Sequence, residues 1–172
     1  MRRALLCLAL TGAARPAAPS ELFGGLLAHD VDSPLTRGGF EEGADFQLGW
    51  RGERIRALRA IGSPSPYALV SVATGGETYF AAAGVTWRIG GRVYLRPGIG
   101  IAVHSRGDGA VGGIRTDLGS RILFEPELGV GVLVSDRLSI EAAWVHLSHA
   151  QLFGRQNPGM DSVGIRISYR LR

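Results

Sequence analysis

Three polar residues near the end of the chain have the side chains of a hydrolytic triad. His146 and Ser148 lie two residues apart, and Asp161 follows after a loop. A histidine can act as the general base for a serine nucleophile, and a carboxylate can orient and stabilise the imidazolium that forms. These residue types predict ester hydrolysis with Ser148 as nucleophile, His146 as base and Asp161 as supporting acid.

These three residues stand at the ends of two alternating patterns. Successive side chains of a strand point to opposite faces, so His146 and Ser148 share a face with the apolar side chains at every second position back to Leu138. Asp161 shares a face in the same way with the apolar side chains from Val163 to Leu171. Residues of catalytic type at the ends of two apolar stripes predict chemistry on a lipid.

The N-terminus has the pattern of an export signal. Arg2 and Arg3 precede an apolar run to Leu10, and small residues follow. We expect a signal peptide over residues 1–14, cleaved after Ala14, and a single β-barrel domain over residues 15–172. Cys7 is the only cysteine of the sequence and lies in the signal, so the mature chain would have no disulfide and no Cys-based metal or redox site.

The remaining sequence predicts eight strands in which apolar and polar side chains alternate. We expect them at about 23–29, 43–51, 66–74, 77–89, 92–103, 121–134, 138–148 and 161–171. No run after the N-terminus is long enough for a membrane-spanning helix. Strands of about ten residues with one apolar face are typical of membrane barrels. The predicted fold is all-β, an eight-stranded antiparallel transmembrane β-barrel of the bacterial outer membrane.

The polar faces of these strands predict the barrel interior. A soluble barrel would bury its apolar face, whereas here Arg, Glu and Gln would lie inside and pair with one another. We expect interior ion pairs from Arg96, Arg121, Glu125 and Glu127. His29 and His104 are interpreted as loop or lumen residues.

Connection lengths predict the orientation of the barrel. Gly90-Gly91 and Ser135-Asp136 form tight turns, whereas 105–119 and 150–160 are long. Outer-membrane barrels have short periplasmic turns and long external loops, so we expect the triad at the external end, facing outward into the lipopolysaccharide leaflet. The 51–61 segment is longer than such a turn needs, and either extends a strand or forms a short helix.

The motifs around the triad resemble the outer-membrane lipid A 3-O-deacylases of the PagL type, whose relatives are often called acyloxyacyl hydrolases. The family's His-x-Ser-Asn segment corresponds to residues 146–149, its Asn-x-Gly loop element to 157–159, and its acid to Asp161. Segments 48–52, 62–67 and 124–131 also look like the family. The resemblance implies a carboxylic ester hydrolase whose outward-facing triad removes the 3-O-acyl chain of lipid A, with no cofactor and no metal.

Two positions depart from the family pattern. His149 stands where the family has an Asn that is implied to help at the oxyanion, and Asp161 stands where it has Glu. His149 can donate from its ring N–H, or its presence marks a changed or lost activity. Further oxyanion or substrate contacts are expected from Gln151, Asn157 and Gly159.

Two other classes of function stay open at this point. A barrel resembling the lipid A acyltransferases would hold a donor chain in an interior apolar pocket, which the charged interior stripes disfavour. A non-enzymatic structural barrel would need no contact among the three polar residues. The expected partners are lipopolysaccharide and the membrane, since a net charge of +4 suits an anionic surface but is too dispersed to predict nucleic acid binding. A homodimer, chain-length preference and latency are left open.

Overall fold

Alternating apolar and polar side chains build eight antiparallel strands. The computed structural model describes residues 20–36, 41–75, 78–105, 116, 118–152 and 157–171, so the predicted signal peptide lies outside the described residues. The strands are β1 (Glu21–Ala28), β2 (Ala44–Arg51), β3 (Ser65–Ala73), β4 (Phe80–Thr86), β5 (Val93–His104), β6 (Ile122–Leu133), β7 (Leu138–Leu147) and β8 (Met160–Arg170).

Hydrogen bonding between the first and last strands closes the sheet into a barrel. Each strand pairs with its neighbours in the sequence, and β1 pairs with β8 from Glu21↔Arg170 to Ala28↔Val163. Closure leaves no unpaired edge, which is what allows a β-structure to reside in a membrane. The predicted eight-stranded antiparallel barrel is confirmed.

The fourth strand begins at Phe80, later than predicted, and its pairing is interrupted at one point. Pairing with β5 stops after Thr86↔Gly98 and resumes in the same register with Ile89↔Leu95. The backbone N–H of Trp87 donates to the Pro97 carbonyl at 2.9 Å. Proline has no backbone N–H, so it cannot donate the second hydrogen bond of this pair to the Trp87 carbonyl. The interruption of the predicted 77–89 strand therefore follows from Pro97 on the neighbouring strand. Residue 77, the predicted start, lies outside the described residues.

The two faces of the barrel differ in polarity as the alternation predicts. Apolar side chains at alternate positions are about half exposed on the outside, among them Phe46, Ile101, Val130 and Ile165. Charged side chains fill the interior near the short turns, with Arg166 2.6 Å from Glu127 and Arg96 2.8 Å from Glu141. Buried charges of this kind are tolerated because they are paired and hydrogen-bonded.

Of the four residues predicted to form interior ion pairs, Arg96 and Glu127 form them, whereas Glu125 and Arg121 form none among the described residues. The hydroxyl of Tyr67 donates a hydrogen bond to Glu125. Arg121 is exposed, because β6 begins one residue later and Arg121 belongs to the preceding loop.

The two ends of the barrel are built differently. The end with the β4–β5 and β6–β7 turns is called the turn end. It also carries the β2–β3 connection, which contains the exposed 3₁₀ helix Arg56–Ile61. The opposite end, with the β1–β2, β3–β4, β5–β6 and β7–β8 connections, is called the loop end. At the loop end the barrel interior contains a buried apolar cluster that includes Leu27, Phe80, Leu123, Leu147 and Met160. Within the described ranges, no helix is long and apolar enough to cross a membrane.

Candidate active site

His146 and Asp161 meet at the loop end because strand register places them directly opposite each other. His146 is the second-to-last residue of β7, and Asp161 is the second residue of β8. The two are cross-strand partners. Directly opposed residues have Cβ atoms about 5 Å apart, so a short carboxylate can reach an imidazole across the ladder. His146 Nδ1 lies 2.7 Å from Asp161 Oδ1.

Asp161 is much more shielded than its position on the strand requires. Val163 and Ile165, on the same face of β8, are exposed, yet the Asp161 side chain is completely buried. The cover comes from the β1–β2 connection: the Val31 N–H donates to the Asp161 carbonyl at 2.8 Å, and the Ser33 hydroxyl donates to Asp161 Oδ2. The carboxylate is therefore removed from solvent and hydrogen-bonded on both oxygens.

The imidazole of His146 is held from two sides. Trp144, two residues earlier on the same face of β7, stacks on it with ring centroids 5.8 Å apart and an interplanar angle of 20°. On another side is Gly159, where an added Cβ would lie 3.0 Å from His146 Cε1. With Nδ1–H donated to the carboxylate, a neutral imidazole keeps the Nε2 lone pair for use as a base.

Ser148 is held by the backbone on the same face as His146. It pairs with Phe124 of β6 in an isolated bridge, with Phe124 N–H donating to Ser148 O at 2.7 Å and Ser148 N–H to Phe124 O at 3.1 Å. The bridge keeps the chain extended past the end of β7, so the two-residue spacing keeps His146 and Ser148 on one side. In the described part of the chain, Ser148 Oγ makes no hydrogen bond to His146; such bonds are often long before substrate binds.

A strained turn follows Ser148. Leu152 N–H donates to the His149 carbonyl at 2.9 Å, and the two central residues, Ala150 and Gln151, have φ values of 50° and 60°. Positive φ at both central positions defines a type I′ turn, which normally uses Gly or Asn. Non-glycine residues held in this region cost free energy and concentrate at functional sites.

The remaining residues predicted for substrate contact form one connected loop. His149 is fully buried, and its backbone N–H donates to Asn157 Oδ1 at 3.0 Å. Asn157 thereby ties the start of the β7–β8 connection to its end, two residues before Gly159. Gln151 is exposed at the tip of the type I′ turn.

Sequence reasoning missed the contribution of the β1–β2 connection. Ser33 reaches the Asp161 carboxylate, and a Cβ on Gly159 would lie 3.3 Å from Thr36 Cγ2. The Ser33-Pro34 pair is a turn signal in the sequence, but nothing in it indicates what the turn covers. That contact exists only because β1 pairs with β8.

A second polar cluster lies inside the barrel at the loop end. His29 Nδ1 is 2.9 Å from Asp45 Oδ1, and His29 Nε2 is 2.9 Å from Glu41 Oε2. Burial lowers the pKa of the His29 imidazole, but the two carboxylates raise it by more, to about 10. Within the described residues, no group of three or more His, Cys, Asp or Glu side chains is arranged to hold a metal ion.

Comparison with known proteins gives a match over most of the chain. Residues 38–170 match the family model described as lipid A 3-O-deacylase (PagL). The crystal structure of the outer membrane enzyme PagL is similar at 17% sequence identity and a TM-score of 0.63, over 88% of this chain and 99% of that chain. No curated protein matches the chain significantly in sequence.

Other solved barrels share the fold. The outer membrane protein Ail of Yersinia pestis is similar at 13% identity and a TM-score of 0.52, over 90% of this chain and 99% of that chain. Neisserial surface protein A is similar at 11% identity and a TM-score of 0.60, over 91% of this chain and 100% of that chain. Likeness at these identities reflects the fold alone.

Proposed function

The chain belongs to the lipid A 3-O-deacylase (PagL) family of the bacterial outer membrane, and from that premise we propose that Ser148, His146 and Asp161 hydrolyse a 3-O-acyl ester of lipid A. The observation that carries this proposal is the contact of 2.7 Å between His146 Nδ1 and Asp161 Oδ1. The buried carboxylate fixes the tautomer of the His146 imidazole, and His146 lies two residues from Ser148 on the same face. Acyl transfer by a serine nucleophile requires an acid, a base and a nucleophile in this sequence of contacts.

The first half of the reaction forms an acyl-enzyme. Ser148 Oγ attacks the ester carbonyl carbon while His146 Nε2 takes the hydroxyl proton, and Asp161 stabilises the imidazolium. The tetrahedral intermediate then collapses: the bond between the carbonyl carbon and the sugar oxygen breaks, and Nε2 returns the proton to that oxygen. The sugar hydroxyl leaves and the acyl chain stays on Ser148.

The second half of the reaction releases the fatty acid. His146 Nε2 takes a proton from a water molecule as its oxygen attacks the acyl-enzyme carbonyl. Collapse of this intermediate breaks the bond to Ser148 Oγ, which recovers the proton from Nε2. Ester and water have then become a sugar hydroxyl and a carboxylic acid, and the site is restored.

We assign stabilisation of the oxyanion to the loop that follows Ser148. In this proposal the backbone N–H groups of Ala150 and Gln151, two and three residues after the nucleophile, donate to the oxyanion. The positive φ values of both residues are consistent with a fixed functional geometry. Asn157 uses Oδ1 to accept from His149, which leaves its amide N–H groups to donate to substrate. Because the His149 ring is fully buried, we assign its contribution to the backbone of the loop.

The site is proposed to face the outer leaflet. His146 alternates along β7 with Val145 and Leu147, which are fully buried in the barrel, and follows exposed Ile140 on its own face. Acyl chains of lipid A in that leaflet would lie against the apolar stripe that leads to Ser148. Substrate would then reach the nucleophile by lateral movement without leaving the membrane.

The two alternative functions are less well supported by the described residues. The fold itself does not separate an enzyme from a structural barrel, but a structural barrel does not require the buried Asp161 carboxylate that is hydrogen-bonded to His146. An acyltransferase of the interior-pocket kind needs room for a donor chain. Here Leu123, Leu147 and Met160 occupy the interior at the loop end, above a layer of ion pairs.

The proposed function is tested by the mass of lipid A from a Gram-negative host that expresses the chain. The parent and the control Ser135→Ala, a serine in the β6–β7 turn, should remove one hydroxyacyl chain, whereas Ser148→Ala and His146→Ala should leave lipid A unchanged. Folding is checked by the heat-dependent electrophoretic shift of each barrel. Unmodified lipid A from all four folded proteins would overturn the assignment, and loss of a chain in the Ser148→Ala host would exclude Ser148 as nucleophile.

A further inference from the structure

The two oxygens of the Asp161 carboxylate have different partners. Oδ1 accepts from His146 Nδ1 on β7, and Oδ2 accepts from the hydroxyl of Ser33 in the β1–β2 connection. The side chain is completely buried. A carboxylate in such a place requires hydrogen bonds to both oxygens, since an unpaired buried charge is strongly unfavourable.

The hydroxyl of Ser33 is itself held in one orientation. Thr36 N–H donates to the Ser33 carbonyl at 3.3 Å, and Leu35 N–H donates to Ser33 Oγ at 3.0 Å. Pro34, which has a restricted φ, follows Ser33 and favours this tight turn. A serine hydroxyl has a single proton. Because its oxygen accepts from Leu35, that proton is directed to Asp161 Oδ2.

Thr36 extends the series of hydrogen bonds by one step. Its Oγ1 lies 3.4 Å from Ser33 Oγ, and since Ser33 donates its proton to Asp161, Thr36 is the donor in this contact. The order is then Thr36 to Ser33 to Asp161, and hydrogen bonds in such a series strengthen one another. The loop is also fixed to β8 through its backbone, because Val31 N–H donates to the Asp161 carbonyl at 2.8 Å.

We propose that Ser33 is a positioning residue of the active site, which acts through Asp161 by preventing rotation of its carboxylate away from His146 Nδ1. This inference rests on the proposed function. It applies to the shorter acid in particular, because an aspartate has only two side-chain torsions, and the second of them alone turns the plane of the carboxylate. The strand register sets the distance to His146, and Ser33 sets the angle.

The expected effect is on turnover and not on substrate binding, since Ser33 has no direct contact with the reacting atoms. In Ser33→Ala, kcat should fall by about 10- to 100-fold, because a small misalignment of a catalytic group has effects of that size. KM should change by less than about twofold. Ser33→Thr keeps the hydroxyl and should restore most of the activity. Asp32→Ala, an exposed neighbour in the same loop, is the matched control and should have the parental kcat.

The experiment uses full-length barrels in detergent with purified lipid A, and it has a second readout that does not depend on activity. The Nδ1 proton of His146 gives a low-field resonance in the nuclear magnetic resonance spectrum while it is hydrogen-bonded to a carboxylate. This resonance should move or broaden in Ser33→Ala and persist in Ser33→Thr and Asp32→Ala. Should Ser33→Ala not fold, Ser33→Cys keeps the size of the side chain with a weak donor and gives the same comparison.

The outcomes separate this inference from the proposed function. If Ser148→Ala abolishes turnover while Ser33→Ala keeps both the parental kcat and the parental resonance, the positioning role is overturned and the deacylase assignment stands. If the parent has no activity, the proposed function fails. In that case the resonance alone decides whether Ser33 orients the carboxylate.

Discussion

His146 and Asp161 are direct cross-strand partners, and it is this opposition that makes an aspartate long enough for the site. The pair is separated by 15 positions in the sequence, yet Nδ1 and Oδ1 are 2.7 Å apart. A short acid is accommodated here because no lateral offset has to be bridged.

The role of Asp161 can be tested by two substitutions of different kinds. Asp161→Asn keeps the size of the side chain but cannot stabilise the imidazolium, and we expect kcat to fall by about 10⁴-fold. Asp161→Glu keeps the charge but adds a methylene in a completely buried position, and we expect a fall of about 10- to 100-fold. Both are measured as kcat on lipid A in detergent. A Glu variant faster than the parent would show that the direct opposition does not set the length of the acid.

Gly159 is expected to tolerate no side chain without loss of turnover. Its φ is +71°, a conformation that costs a residue with a Cβ about 1–2 kcal/mol, and an added Cβ would press on His146 Cε1 at 3.0 Å. Gly159→Ala should therefore lower kcat by about tenfold or more while the barrel still folds.

The matched control is Gly62→Ala at the turn end. Gly62 has a φ of +89°, but a Cβ there would meet Trp87 at an ordinary 3.4 Å. This variant has the backbone strain without contact with the imidazole, so its stability should fall slightly and its kcat should stay parental. Equal kcat values for the two variants and the parent would contradict the importance of the Gly159 contact.

The His29 cluster predicts how stability at the loop end depends on pH. The pKa of His29 is raised from 6.5 to about 10, so the stability it contributes is complete below pH 6.5 and is lost as the pH rises towards 10. The pKa of Glu41 is lowered: burial raises it, but the hydrogen bond from His29 and those from Thr116 and Thr78 lower it by more. Its contribution is present above about 4.5 and is lost as the pH falls below that value.

This dependence is measured as the unfolding temperature of the barrel between pH 4 and 10. The parent should become less stable from pH 6.5 upward, and His29→Gln should remove that decline while lowering stability at pH 6. The same slope in both proteins would mean that another group is responsible.

Much of the fold was predictable because a strand alternates its faces at every residue. The positions that are buried in β2, such as Asp45, Gln47 and Arg51, are those that the alternation placed inside. The break in β4 was not predictable from β4 itself, because its cause, Pro97, lies on the neighbouring strand. Arg121 was misplaced for a local reason, since the strand pattern does not mark its own first residue.

The candidate site likewise has features that a single strand's pattern predicts and features that depend on neighbouring strands. The sequence by itself determined the types and the face of His146, Ser148 and Asp161, because parity along a strand needs no knowledge of its neighbours. Only the tertiary structure decided that His146 lies opposite Asp161, that a strained turn follows Ser148, and that Ser33 covers the acid. Register and barrel closure are properties of paired strands, and the contact between Ser33 and Asp161 joins residues 128 positions apart. No pattern within one strand contains that information.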